Sequence, residues 1–235
     1  MLPKAILFDL DDTLISAYGN PERAWRKVVH EYEARLGNLS PNELAQHITA
    51  EAREFWSDAQ RHKVWRHDLP ESRRRIVGQV FERLSLGSPQ LSCDLANRYT
   101  ELRDEEMFLF PGVLETLTAL ADQNVRLALI TNGSAGVQRT KIARFGLGPI
   151  FEHVQIEGEH GFGKPEERAY LHAMSGLNVM PEETWIVGDN LVWEVEAPQR
   201  LGIFSIWYDG EGKGLPSSTT IQPDRIVRAL PELIG

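Results

Sequence analysis

The chain has 235 residues, 42% hydrophobic and 25% charged, enough to bury a core and too balanced for wholesale disorder. Its formal charge of −9 argues against general nucleic-acid binding, which relies on a positive face to neutralise phosphates. The single cysteine, Cys93, rules out an internal disulfide framework and reads as a small core residue, and no apolar run approaches the roughly 18 residues of a membrane helix.

Ala5–Asp9 reads as a buried strand, a short continuous apolar run ended by turn-forming acids. The apolar run is too short for a signal sequence and no cleavage site follows it, so a soluble cytoplasmic protein is expected. For about ninety residues afterwards the spacing is helical. Trp25, Val28, Val29, Tyr32 and Leu36 share a face, and Gly37 stops that helix. Ser40-Pro41-Asn42-Glu43 predicts a helix start with a capping box, continued by Leu44, Ile48, Phe55 and Trp56. Two more helices are expected over 71–84 and 91–105, completing a bundle without strands.

From Val113 onward the chain alternates. Helices are predicted at 113–120, 135–145, 166–175 and 192–201, and strands at 125–130, 154–157, 184–187 and 203–207. The stretch 210–220 reads as a loop. Such alternation implies a parallel sheet covered by helices on both faces. The strand near residue 5 belongs to that sheet, because an isolated buried strand cannot satisfy its backbone. The expected architecture is therefore α/β: a Rossmann-like parallel sheet core (1–16 and 106–235) with an inserted helical bundle (17–105).

Ligands of open parallel sheets bind beyond the carboxyl ends of the strands. The polar residues predicted there are Asp9, Asp11, Asp12 and Thr13; Thr131, Asn132, Gly133 and Ser134; and Asp189, Asn190 and Glu194. Lys164, in Gly163-Lys164-Pro165, falls on the same rim. Singly, each is ordinary capping or turn chemistry. Together, several acids on one rim repel one another and require a cation. An all-oxygen, carboxylate-rich cluster suits Mg²⁺, which keeps waters and often shares its sphere with phosphate.

In this order the residues resemble the haloacid dehalogenase-like hydrolases. Asp9-Leu10-Asp11-Asp12-Thr13 is similar to that family's DxDxT signature, and Thr131-Asn132, Lys164 and Gly188-Asp189-Asn190 to its later motifs. The resemblance spans essentially the whole chain, with 17–105 matching the helical cap inserted after the first motif. It departs at Glu194, where relatives often carry Asp.

Asp9 and Asp11 are two residues apart, so in an extended segment their side chains share a side. The resemblance implies Asp9 as nucleophile, forming an aspartyl-phosphate, with Asp11 protonating the leaving group and then activating water. It implies that Thr131, the backbone near Asn132 and Lys164 bind the phosphoryl group, and that Asp9, the Asp11 carbonyl and Asp189 hold Mg²⁺. Glu194 is expected to meet the metal through water or to orient Lys164. Asp12 reads as turn chemistry, and Thr13 as a hydrogen bond to the loop. Tyr18 and Asn20, just after the catalytic loop, are the expected substrate contacts on the cap side.

Between 61 and 75, Arg61, Lys63, Arg66 and Arg73–Arg75 outnumber Asp68 and Glu71. That segment reads first as a solvated helix face and second as a patch steering an anionic leaving group. The expected partner is a small phosphorylated metabolite, with no nucleic acid or membrane, and the oligomeric state is open. Within the same fold a sugar-phosphate mutase remains an alternative. A 2-haloacid dehalogenase is disfavoured because such enzymes usually lack an acid at the position of Asp11. A signalling receiver or a catalytically silent scaffold are the readings from other classes.

Overall fold

A computed structural model describes residues 2–234. Ala17–Met107 forms one compact unit, and the residues on either side of it form the other.

The flanking residues build the α/β unit. Strand β1 (Ala5–Phe8) is buried at every position, as a central strand of a parallel sheet must be. Each of Ile6, Leu7 and Phe8, fully buried, contributes about 1.5–3 kcal/mol of transfer free energy. A two-residue strand β2 (Ile15–Ser16) pairs antiparallel with β3 (Phe108–Leu109), at the two points where the chain leaves and re-enters this unit. Helix α6 (Val113–Asp122) then leads to β4 (Arg126–Thr131), α7 (Ala135–Arg144) and β5 (His153–Ile156). A one-turn helix α8 (Glu157–His160), α9 (Glu167–Gly176) and β6 (Thr184–Gly188) follow. After β6 come α10 (Ala197–Gln199), β7 (Phe204–Tyr208) and β8 (Arg225–Val227).

Among the described residues the six-stranded sheet runs β5-β4-β1-β6-β7-β8, with every pairing parallel. Phe8 is in register with Leu129 of β4 on one side and Val187 of β6 on the other. The chain winds outward from β1 to β4 and β5, then resumes on the opposite side at β6. The carboxyl end of β1 is therefore the topological switch point, and Asp9 is the first residue beyond it. One face of the sheet buries Ala5, Leu7, Ala128, Ile130 and Ile186 against Ala169, Tyr170, Ala173 and Met174 of α9.

Among the segments of this unit that differ from the sequence-based expectation, the strand expected over 154–157 ends at Ile156 and Glu157 opens α8. The predicted helix over 192–201 is a π-helical turn, Leu191–Glu196, before α10. Its wider winding carries Glu194 into the interior, where the residue is fully buried. β8 was not expected, being three residues long with only Val227 buried.

The other unit is helical throughout its regular structure. It comprises α1 (Pro21–Glu31), α2 (Pro41–Ser57), α3 (Ala59–Trp65), α4 (Leu69–Arg83) and α5 (Pro89–Glu105). Its core gathers Trp25, Val28, Ile48, Phe55, Val77, Val80 and Leu95, with Trp25 stacked on Tyr99 at 3.7 Å between ring centroids. The first helix ends at Glu31, short of Gly37, and a 3₁₀ turn over Glu33–Arg35 fills the interval. The predicted capping box does not form, for Ser40 occupies the N-cap position without a side-chain hydrogen bond. Helix α3 was not anticipated because none of its residues is buried, so it has no apolar stripe to read.

Candidate active site

The site begins with a buried ion-pair triad. Lys164 is fully buried, and its Nζ donates to Asp9 Oδ1 at 2.5 Å and to Glu194 Oε1 at 2.6 Å. Asp9 Oδ2 accepts from the Thr13 hydroxyl at 3.1 Å, so the hydrogen bond expected within this loop is made to the Asp9 carboxylate and orients it. The other Glu194 oxygen accepts from the backbone N–H of Asn190 at 2.9 Å. Gly188 leaves the room Glu194 needs, since a Cβ there would collide with the glutamate's own carbons.

Two carboxylates against one ammonium make the triad net negative. Burial raises Asp9 above the ordinary aspartate range despite Lys164, and the charge of Asp11 adds to the rise. Burial likewise brings Glu194 up to about 7, against the pull of Lys164. Burial alone would lower Lys164, but Asp9 and Glu194 together hold it above an ordinary lysine. The proton of the triad therefore belongs to the lysine.

Asp189 follows β6, with its backbone carbonyl held by the Trp207 indole at 2.7 Å and its side chain open to solvent. Crowding by surrounding protein atoms raises its carboxyl well above the usual value, and the charges of Asp9, Glu194 and Asp12 push in the same direction. Among the described residues no three acid, histidine or cysteine side chains converge into a ready-made metal cage. Mg²⁺ needs none, since one or two carboxylates, a carbonyl and waters suffice. An excess of carboxylate charge at Asp9 and Asp189 fits such an ion. Glu194 fits less well as a direct ligand, because both its oxygens are engaged within the wall.

Asp12 has a left-handed φ of 60° and its N–H donates to the Ile15 carbonyl at 2.7 Å, turning the chain after Asp11. Asn132 exchanges two hydrogen bonds with the Lys164 main chain, Nδ2 to the carbonyl at 2.7 Å and Oδ1 from the N–H at 2.9 Å. Its side chain thus anchors the lysine loop, and substrate donors at this position would have to come from the backbone. Asn20 and Tyr18 belong to the helical unit. Asn20 Oδ1 caps α1 by accepting from Arg23 N at 2.9 Å, and Tyr18 is 41% exposed.

The basic segment 61–75 is neither one solvated face nor one patch. It straddles α3 and α4, and its members disperse. Arg61 lies over Phe55, Arg75 over Trp65, and Arg74 bonds Asn97 and Glu71. Arg73 is half-buried with its guanidinium 5.2 Å from the Tyr99 ring centre, and burial lowers its pKa.

Three residues at the site were missed by sequence reasoning. Gln138 Nε2 donates to Asp11 Oδ2 at 3.0 Å and to Thr131 Oγ1 at 2.5 Å. Lys141 Nζ reaches both Asp11 oxygens, at 2.8 and 2.9 Å. Glu157, buried after β5, accepts from the backbone N–H of Gly133 at 3.0 Å and shapes the turn after Thr131. A signal for the first two existed. Helix α7 buries Gln138 and Lys141 while leaving Val137 42% exposed, an inverted amphipathic pattern.

Comparison with known proteins adds the following. A family model for haloacid dehalogenase-like hydrolases matches residues 3–202. Glyceraldehyde 3-phosphate phosphatase of Methanopyrus kandleri is 31% identical, the match covering 86% of this chain and 82% of that one. Phosphoserine phosphatase of Thermus thermophilus is 30% identical, covering 98% and 97%. Among solved structures, the magnesium-bound HAD-hydrolase YfnB of Bacillus subtilis superposes with a TM-score of 0.71, at 22% identity over 99% of this chain and 97% of that one. The last likeness is one of fold.

Proposed function

Because this chain belongs to the haloacid dehalogenase-like hydrolase family, we propose that it is a Mg²⁺-dependent phosphatase acting on a small phosphorylated metabolite through an aspartyl-phosphate on Asp9. The observation that carries the proposal is the Asp9–Lys164–Glu194 triad at the switch point of the sheet. A carboxylate whose two oxygens are fixed by a buried lysine and by the Thr13 hydroxyl is held in place to attack phosphorus with a remaining lone pair. The named activities of the relatives from M. kandleri and T. thermophilus, both on three-carbon phosphate esters, support the choice of a small substrate.

Asp9 attacks phosphorus, forming the Asp9–phosphorus bond as the bond to the ester oxygen breaks, and Asp11 gives that oxygen its proton. Water then attacks the phosphoryl group, Asp11 takes the water's proton, and inorganic phosphate leaves Asp9 unmodified. Phosphoryl transfer asks mainly for positioning and charge stabilisation. Lys164 supplies a fixed positive charge beside the transferred group, and the Thr131 hydroxyl and the N–H groups after β4 supply neutral donors. Asp9, Asp189 and the Asp11 carbonyl would hold Mg²⁺, which when bound offsets the phosphate charge that otherwise repels the Asp9 carboxylate.

The decisive assay measures release of phosphate from p-nitrophenyl phosphate and from a panel of phosphorylated metabolites, with Mg²⁺ and with a chelator. Turnover that vanishes on chelation and returns with Mg²⁺ is expected; undiminished turnover in chelator would refute the metal dependence. Because Asp9 and Asp189 both hold protons more tightly than ordinary aspartates, metal must compete with those protons. Mg²⁺ affinity, followed by calorimetry, should weaken by about tenfold or more between about pH 8 and about pH 5.5.

The inserted helical unit is proposed to contribute to the choice of substrate. Within it, Arg66 and Arg73 are the residues of the basic segment that are half-buried rather than spread over the surface. Replacing each with methionine should raise KM for esters carrying a second anionic group by about fivefold or more, while neutral esters change less than about twofold. Equal KM values for both ester types in both variants would remove the arginines from substrate selection.

A further inference from the structure

Helix α7 invests buried space in polar groups that the mechanism above does not use. Gln138 and Lys141 are 2% and 6% exposed, on a helix whose sheet-facing side would pack more simply with apolar residues. A buried ion pair such as Lys141–Asp11 is weak evidence for a gain in stability, since hydrophobic side chains of similar volume often serve as well or better. The two residues are three apart, so they share one face of the helix. That face meets two groups separated by the width of the sheet's central strand pair: Asp11, beyond β1, and Thr131, at the end of β4.

The bonding capacity of each group restricts what this contact does. The Gln138 amide has two N–H donors, directed to Asp11 Oδ2 and Thr131 Oγ1. Lys141 donates to both Asp11 oxygens, so Oδ2 takes two bonds and Oδ1 takes one. Each carboxylate oxygen has two lone pairs, so an open position remains at Oδ1. That is where a proton can reside for transfer to a leaving group. At Thr131 the consequence is one of polarity. A hydroxyl that accepts from Gln138 keeps its single proton for another partner, and its contact with the Asn132 carbonyl is at 3.5 Å, the far limit of a hydrogen bond. The proton is therefore available to a phosphoryl oxygen.

We propose that Gln138 and Lys141 are positioning residues for phosphoryl transfer: Lys141 fixes Asp11 with one oxygen presented to the leaving group, and Gln138 turns the Thr131 hydroxyl into a donor. The inference rests on the phosphatase reading, and deepens it by assigning the step each residue serves. Lys141 serves proton delivery to the leaving oxygen. Gln138 serves both that delivery and binding of the transferred group.

The leaving group separates this role from a structural one. An alkoxide must be protonated as it departs, whereas p-nitrophenolate departs without a proton. kcat/KM reports only steps through phosphoryl transfer to Asp9, so later hydrolysis of the intermediate does not enter. For Lys141→Met, kcat/KM on an alkyl ester such as glycerol phosphate should fall by about tenfold or more, and on p-nitrophenyl phosphate by less than about threefold. Lys141→Arg, which retains the positive charge, should recover part of the alkyl-ester loss. Gln138→Leu should lower kcat/KM on p-nitrophenyl phosphate by at least about threefold, since the transferred phosphoryl group is common to both esters, and on the alkyl ester by more, since it also loosens Asp11. Thermal melting of each variant establishes that it is folded, and Lys141→Arg with Gln138→Leu carries the test if Lys141→Met is not. Equal losses on the two esters in the Lys141 variants would make the lysine merely structural. A Gln138→Leu enzyme within about twofold of the parent on both would end the role of the glutamine. A parent that hydrolyses neither ester would instead refute the phosphatase reading, and this assignment with it.

Discussion

Asp9→Asn should reduce kcat by roughly 10⁴-fold or more on every phosphate ester the parent hydrolyses, the scale of loss when a covalent nucleophile is removed. The amide is nearly the same size: its oxygen can accept from Lys164 in place of Oδ1, and its NH2 can donate to the Thr13 hydroxyl oxygen in place of Oδ2. The fold should therefore survive, and the defect should be chemical. Substrate binding is expected to change little, because Lys164 and the Thr131 region remain. Removing one of the mutually repelling charges even relieves Asp11 and Asp189, both of which feel the Asp9 carboxylate. Mass spectrometry of acid-quenched enzyme provides the direct check. The parent should gain one phosphoryl group at Asp9 during turnover and the variant none. A variant that kept a tenth of the parent's rate, or that gained a phosphoryl group at a residue other than 9, would move the nucleophile to another residue.

How much of this could be read in the sequence depended on whether a residue's role was local. β1 was legible because a central parallel strand buries both faces, which turns Ala5–Phe8 into an uninterrupted apolar run. The four strands that follow, and the helices expected at 113–120, 135–145 and 166–175, were legible from their apolar patterns, whereas the helix expected over 192–201 is largely a π-helical turn. β8 and α3 were not, since a three-residue edge strand and a helix without a buried face leave no periodic trace. At the site, Asp9, Asp11, Thr131 and Asp189 could be collected by a single rule, that polar residues after parallel strands gather on one rim. Lys164 needed more, because nothing in Gly163-Lys164-Pro165 reveals that its side chain will be fully buried between two carboxylates. Its place on the rim followed from the loop ahead of α9, and its role at the phosphoryl group came from resemblance.

What stayed hidden were the partnerships. Lys141 meets Asp11 across 130 residues of chain, and Asn132 meets the Lys164 backbone across 32. Neither pairing follows from spacing or propensity. Asn132 read as a substrate contact through its backbone, and the fold adds that its side-chain amide holds the lysine loop. Thr13 read as a hydrogen bond within the loop, and the fold makes the nucleophile its partner there. In both cases the sequence correctly indicated a polar residue at the site, and only the fold determined which neighbour it serves.

Lys164→Met carries the largest stability effect expected of any site residue. The lysine is fully buried and neutralises Asp9 and Glu194 at 2.5 and 2.6 Å. Its removal strands two carboxylates without a cation, and breaking a buried pair from one side typically costs about 3–5 kcal/mol. Activity should be lost as well, since no fixed positive charge remains beside the transferred group. The stability loss should depend on pH in a definite direction. Glu194 already titrates at about 7 in the folded parent, and Asp9 lies above the usual aspartate range, so both are raised relative to the unfolded chain. Without the lysine both should rise further, and the folded variant then binds more protons than the unfolded one. Stability must fall with increasing pH wherever that holds, beginning near the unfolded carboxylate values of about 4 and continuing through and beyond neutrality. In chelator, denaturant titrations of parent and variant should differ least near about pH 5 and most near about pH 8. A second substitution, Glu194→Leu, should restore part of the stability at pH 8 by removing one stranded charge, although not the activity. A variant as stable as the parent at pH 8, or one whose deficit grew on acidification, would mean that Lys164 does not neutralise this cluster.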